Sequence, residues 1–258
     1  MKQELKPIGF FDSGVGGISV LREAVKQLPE ENYIYFGDSG NAPYGIKTVE
    51  EVKKLTFKAV NFLLGMDVKA VVIACNTATS AAIEDLRGTI SNIPIIGIEP
   101  ALKPAMEYSK KGKIIIMATT MTLAEKKFSN LMKRYYKEAD IQPLPCPGLV
   151  ELIEGGVTEG REIDNYLNKK LAPYLNEGIG AVVLGCTHYP FIKDSLSKLL
   201  GQDTAIIDGS EGTARQLKRQ LIKNKMMNKS KQKGYVKIYN SIEDPEIIEL
   251  SYKLLGKP

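Results

Sequence analysis

The chain has 258 residues, enough for one large domain or two modest ones. With 43% hydrophobic and 25% charged residues it matches an ordinary globular protein, which excludes a disordered chain. Its longest apolar runs, such as Ile114 to Ala118, are far too short to cross a bilayer, which excludes a spanning helix, and no membrane partner is expected. The net charge of +5 is a thin excess, partly concentrated from Lys218 to Lys233. Lysines there mark a solvated face rather than a nucleic-acid surface, and a small anionic substrate suits the same charge.

Met1 to Pro7 leads straight into Gly9 without an apolar leader, which predicts a cytoplasmic protein. Short β-rich runs then alternate with stretches of helical period. This predicts an α/β protein with mainly parallel sheets flanked by helices. Strands are expected at Ile8–Phe11, Tyr33–Phe36, Ala70–Ala74, Ile95–Ile98, Lys113–Ala118, Ala181–Leu184, Ala205–Asp208 and Tyr235–Tyr239. Their near-continuous apolar character fits strands covered on both faces. Thr48-Val49-Glu50-Glu51 is a capping-box pattern that opens a helix running to about Leu64. Near the end, Asp244-Pro245 supplies an N-cap and a first-turn proline, and Gly256 stands where a C-terminal cap belongs.

A repeat organises these elements. Asp12 ends the first strand and Cys75 ends another 63 positions later; Thr119 ends a strand and Cys186 follows 67 positions on. Two similar α/β domains related by an approximate two-fold are expected. Residues 1–98 with 209–258 would form the first, residues 99–208 the second, and the active site would lie in the cleft between them. Ligands of open α/β sheets bind beyond the carboxyl ends of strands, where these residues fall.

Three cysteines, Cys75, Cys146 and Cys186, are too few for a disulfide framework, and no Cys/His cluster offers metal-ligand spacing. Cys146, between two prolines, reads as structural. Cys75 and Cys186 follow matching apolar runs and precede Asn76-Thr77 and Thr187-His188, which are not core settings. Two thiols delivered from two halves suit an enzyme that removes a proton from one face of a carbon and returns it to the other. Helix N-termini or nearby cations are expected to raise their thiolate fraction.

His188, the sole histidine, lies two residues after Cys186, within reach to exchange protons with it, and Asp12 stands in the corresponding relation to the first half. The glycines of Asp12-Ser13-Gly14-Val15-Gly16-Gly17 form a strand-to-helix turn whose N–H groups suit a carboxylate or phosphate. The run is not a dinucleotide fingerprint, since Ser19 takes the last glycine's place.

At these residues the chain resembles the glutamate racemase family of the aspartate/glutamate racemase superfamily. The matching segments are Gly9 to Gly17, Gly37-Asp38 with Pro43-Tyr44-Gly45, Ala74 to Ala78, Ala118 to Thr122, Cys146-Pro147 with Glu154, and Leu184 to Pro190. The resemblance implies a cofactor-independent enzyme that makes D-glutamate for peptidoglycan, and so serves cell-wall biogenesis and cell shape. It also implies glutamate as the small-molecule substrate and a homodimer.

By the same resemblance, Cys75 would take the α-proton from D-glutamate and Cys186 from L-glutamate, assisted by Asp12, Glu154 and His188. Ser13, Tyr44, Gly45, Asn76, Thr77, Thr119 and Thr187 would hold the substrate, together with Asp12 and His188. Two departures stand out. Ser39-Gly40-Asn41 replaces the family's usual Thr-Ala-Arg, and Asp208-Gly209-Ser210 differs from its more usual Asp-Ser pair. The alternatives are a racemase of another amino acid such as aspartate, a non-catalytic amino-acid-binding protein, and a protein–protein regulator.

Overall fold

A computed structural model of the protein describes residues 2–256; Met1, Lys257 and Pro258, which close the expected first domain, lie outside the described residues. The first round of elements is β1 (Ile8–Asp12), α1 (Ile18–Gln27), β2 (Tyr33–Gly37), α2 (Val49–Gly65), β3 (Ala70–Ile73), α3 (Asn76–Thr89) and β4 (Ile95–Gly97). The second opens with α4 (Leu102–Ala105), β5 (Lys113–Ala118), α5 (Thr120–Ala124), α6 (Lys126–Lys133) and β6 (Ile141–Pro145). It continues with α7 (Leu149–Glu154), α8 (Arg161–Leu171), β7 (Ile179–Leu184), α9 (Lys193–Leu200) and β8 (Ala205–Asp208). The chain ends with α10 (Ser210–Lys223), β9 (Val236–Asn240) and α11 (Pro245–Gly256).

Every strand pairing is parallel. The first sheet has the order β4-β3-β1-β2-β9 and the second β6-β5-β7-β8. Without β9, the two orders are the same: the chain steps from a central strand to one side, then returns to the other. The sequence repeat is therefore a repeat of topology. The switch point falls between β1 and β3 in one sheet and between β5 and β7 in the other, the place where such sheets bind ligands.

Period-two alternation divides each sheet between two cores. Ile8, Phe10, Val72 and Tyr35 face Leu21 of α1 and Leu217 and Leu221 of α10, while Phe11, Val71 and Ile73 face Val60 and Leu63 of α2 and Leu86 of α3. In the second sheet, Ile115, Met117 and Val182 pack on Ile153, Leu167 and Leu196, and Ile114, Ile116 and Val183 on Leu102 and Met132. Each such Leu or Ile contributes about 1.5–3 kcal/mol of apolar transfer free energy. Thr48 and Glu51 form both bonds of the capping box, and Asp244 accepts from the Glu246 N–H ahead of α11. Gly256 is the last residue of that helix rather than a cap beyond it.

One strand escapes the sequence reading. β6 carries Pro143 and Pro145 in a run that alternates between buried and half- or fully exposed, so it lacks the continuous apolar signature. Proline is tolerated because β6 is an edge strand with one side free of ladder bonds. Other strand ends shift by one or two residues. β3 stops at Ile73, so Cys75 lies two residues past its strand rather than at its end.

The chain leaves the first sheet after Gly97, and Leu102 already belongs to the core of the second. It returns through Gly209, where a Cβ would stand 2.5 Å from the Glu99 carbonyl oxygen. The two crossings thus lie side by side.

Candidate active site

The first loop after β1 is held from outside the turn. Gly14 N–H donates to Asp12 Oδ1 (3.1 Å), and Val15 N–H donates to Oε1 of Glu154 (2.7 Å), which comes from α7 in the other half. A Cβ on Gly14 would stand 1.9 Å from Glu154 Oε1, and one on Gly16 2.4 Å from His188 Nδ1. The glycines are needed because two side chains of the second half pack against this turn. The turn's Val15 N–H does hold a carboxylate, and it is the protein's own Glu154.

Beyond the first switch point, Cys75 is the N-cap of α3. Its Sγ accepts from the Ala78 N–H (3.4 Å) and lies 3.5 Å from Ser13 Oγ. Beyond the second, Cys186 Sγ lies 3.6 Å from His188 Nδ1, and His188 Nε2 pairs with Glu154 Oε1. Thr187 Oγ1 donates across to Asp12 Oδ2 (2.9 Å), and Thr77 Oγ1 lies 3.2 Å from Thr119 Oγ1 and 3.1 Å from Thr122 Oγ1. Tyr44 donates its hydroxyl to Asp38 (2.7 Å), which Asn41 also grips; Asn41 is the residue at the family's usual arginine position.

These groups enclose a cavity of about 10 Å³, on the order of one water molecule, so the cleft is closed. Both thiols line it, with Ser13, Tyr44, Gly45, Asn76, Thr77, Thr119, Thr187 and His188. Asp12 and Glu154 stand one layer back, behind Thr187 and His188. Pro43 and Val150 also line the cavity, and Thr122 and Ser39 bond to site residues; the sequence places Pro43 and Thr122 in matching segments and Ser39 in a departing loop, but assigns none of the four a role in the site. Thr122 was detectable as the i+3 partner of a Thr119 N-cap. Ser39 had no local signal, because its partner is 115 positions away.

Two expectations about the thiols change. Cys75 and Cys186 are only 5% and 7% exposed, because the two halves close on them. Burial, reinforced by the Asp12 charge, pushes the Cys75 thiol up to about 12, outweighing the Ala78 N–H and the Ser13 contact. Its N-cap position does not make it a thiolate. Nor is Asp12 bonded to Cys75: it bonds Gly14 and Thr187, and burial pushes it up to about 6 against the pull of His188 and Thr187. Cys146 is buried and pushed up to about 12 by desolvation, in keeping with a structural role.

Burial pulls the His188 imidazole down, but its bonds to Cys186 and Glu154 outweigh this and hold it well above its ordinary range. Burial pulls Glu154 up, but His188, the Val15 N–H and the Ser39 hydroxyl together hold it below its ordinary range. Both shifts favour an ion pair between ring and carboxylate, with the ring's other nitrogen facing Cys186. Asn76 Oδ1 is a buried acceptor with no hydrogen-bond partner among the described residues.

Residues 12–217 match the Asp/Glu/hydantoin racemase family. The chain belongs to that family, in its glutamate racemase branch. It is 68% identical over 251 residues to a glutamate racemase of Clostridium novyi, covering 97% of each chain. The fold superposes on a glutamate racemase isoform of Bacillus anthracis with a TM-score of 0.87 at 32% identity, covering 98% of this chain and 94% of that one. It superposes on the Francisella tularensis glutamate racemase in complex with D-glutamate with a TM-score of 0.85 at 28% identity, covering 98% and 95%. As a member of this family the protein is a racemase, an isomerase. Among the described residues, no helix is long and apolar enough to cross a membrane.

Proposed function

We propose that the protein interconverts L- and D-glutamate without a cofactor, by proton transfer between the substrate α-carbon and two opposed cysteines. The observation that carries this reading is that Cys75 and Cys186 line one closed cavity from topologically equivalent switch points. For L-glutamate, the Cα–H bond breaks as the proton passes to the sulfur of Cys186 acting as the base, leaving the electron pair on carbon. The Cys75 thiol then gives its proton to the opposite face. The reverse direction exchanges the roles.

The protein's groups fit the two halves of this step differently. Cys75, held near 12, rests as a thiol ready to donate. A bound amino acid's ammonium would bring it the cation that it needs to act as a base. The orphan Asn76 Oδ1 suits the same ammonium, since an unpaired buried acceptor costs about 1–3 kcal/mol until a donor arrives. On the other face, His188 can exchange a proton with Cys186 while Glu154 holds the ring. Fixed donors in a water-excluding cleft stabilise the developing carbanion.

Residues 1–98 with 209–258 and residues 99–208 act as the two domains, which must part to admit a substrate larger than the closed cavity. The enzyme works in the cytoplasm as a homodimer and supplies D-glutamate for peptidoglycan. The test follows solvent deuterium into the α-position of L- and D-glutamate with no cofactor added, and compares turnover of aspartate. Exchange with both glutamate isomers is expected, with racemisation falling at least about 10²–10⁴-fold in Cys75→Ala and in Cys186→Ala. Parental racemisation in both variants would overturn the two-thiol mechanism, and faster turnover of aspartate would reassign the substrate.

A further inference from the structure

The carboxylate behind His188 is held from the far side of the cleft by a chain of two polar side chains. Asn240, at the end of β9, donates its side-chain amide to Ser39 Oγ (2.9 Å). Ser39 donates its hydroxyl to Glu154 Oε2 (3.1 Å), while Glu154 Oε1 takes Val15 N–H and His188 Nε2. Gly37 of β2 permits the approach: a Cβ there would stand 2.6 Å from the Gly14 carbonyl oxygen and 3.0 Å from Asn240 Nδ2.

Resting on the racemase reading above, we propose that Ser39 is a positioning residue of the reaction at Cys186, acting through Glu154 and His188. β9 has no counterpart in the second sheet, so this support serves the Cys186 side alone. Ser39 also stands in the loop that departs from the family's usual Thr-Ala-Arg, at the threonine's place, so the substitution keeps a hydroxyl there. The donors belong to one half and the carboxylate to the other. Opening the cleft therefore removes both donors from Glu154, and the His188–Glu154 pair takes its working form only on closure.

The groups facing Glu154 are His188 itself, Asp12 at the end of β1 and Tyr35 of β2, with Cys186 beyond the imidazole. From the first half, the Val15 N–H and the Ser39 hydroxyl donate to its oxygens. Removing the Ser39 hydroxyl leaves the carboxylate charge less stabilised. The pair then binds protons more tightly, and its titration moves to higher pH.

His188 is the sole histidine of the chain, so ring-labelled protein gives an unambiguous NMR titration. Ser39→Ala is expected to move the titration sensed by the His188 ring upward by about one pH unit, the effect of losing one hydrogen bond to a charged group. Its kcat should fall roughly tenfold in both directions with KM little changed, since the group acts on the proton-transfer step. Ser39→Thr should restore the parental ring titration. An unmoved titration in Ser39→Ala, or one moved equally by Ser39→Thr, overturns the role of Ser39. A parent protein that fails to racemise glutamate overturns the function proposed above, whatever the ring titration shows.

Discussion

Thr187, which follows Cys186 in the second half, donates its hydroxyl to Asp12 at the end of β1 in the first half, at 2.9 Å. The contact has a mirror. Thr77, just after Cys75 in the first half, lies 3.2 Å from Thr119 at the end of β5 in the second. Each half thus uses the segment after its cysteine to grip the first-strand end of the other. This crossed pairing closes the cleft on both thiols, and it follows from two sheets of the same strand order meeting at their switch points.

Asp12 bears a stability cost for that position. Burial raises its pKa from 3.8 to about 6, so the folded pKa exceeds the unfolded one. Its contribution to stability is then fully present below about pH 4 and is lost as pH rises through about 6. By pH 7.5 the loss amounts to roughly 3 kcal/mol at most. Asp12→Asn removes the charge and is expected to raise Tm by several degrees at pH 7.5 but little at pH 4.5, while racemisation falls about 10²–10⁴-fold. Calorimetry across this range decides it: a Tm difference independent of pH contradicts the assignment.

The mirror contact makes a different prediction. Thr77→Val keeps the shape of the side chain and removes the hydroxyl shared with Thr119 and Thr122, which still bond each other at 3.0 Å. One cross-cleft bond is worth about 0.5–1.5 kcal/mol. KM should rise roughly tenfold for both enantiomers, with a smaller change in kcat, because closure and substrate contact weaken together. Unchanged KM for both glutamates would show that this threonine cluster does not hold the closed form.

Much of this arrangement was legible in the chain. Strands buried on both faces announce themselves as apolar runs, and the polar residues that follow them announce the cleft. β6 did not, because an edge strand with two prolines needs neither continuous burial nor a full ladder. The Cys75 environment was misread for a related reason. Its neighbours in sequence are polar, but its neighbours in space come from the other half, and burial overrides the N-cap. Glu154 shows the same limit: family resemblance named it, yet its grip on Val15 and Ser39 depends on pairing 139 and 115 positions away.

Gly16 is where close approach and chemistry meet. A Cβ there would stand 2.4 Å from His188 Nδ1, and the ring is buried and held by Glu154, so it cannot swing away. Gly16→Ala should move the imidazole off Cys186 and lower kcat by about 10²-fold, with a stability loss of about 1–3 kcal/mol from overpacking. Gly88→Ala on α3, where a Cβ meets nothing within 4 Å, is the control. It should keep parental kinetics and gain about 0.4–1 kcal/mol. Equal kinetics in the two variants would refute the steric argument.

Far from the chemistry, Lys69 and Glu31 form a fully buried ion pair at the amino end of β3, opposite the cleft. Lys69 also donates to the Glu4 carbonyl oxygen (2.6 Å), and Glu31 accepts the Asn228 N–H (2.8 Å). The pair therefore ties the amino-terminal segment and the loop after α10 to the first sheet. Desolvation lowers the Lys69 pKa despite the partner, which marks how much the burial of this charge costs. Lys69→Met leaves Glu31 as an uncompensated buried charge and should destabilise the fold by about 3–5 kcal/mol in urea titrations. Adding Glu31→Leu should recover most of that loss, since replacing both charges by apolar groups removes the desolvation penalty. Because the pair sits at the end of the sheet away from both cysteines, kcat per folded molecule should stay within about twofold of the parent in either variant, as expected for a change that acts on stability alone. A single variant no less stable than the double would mean that Glu31 finds water or another partner when Lys69 is removed.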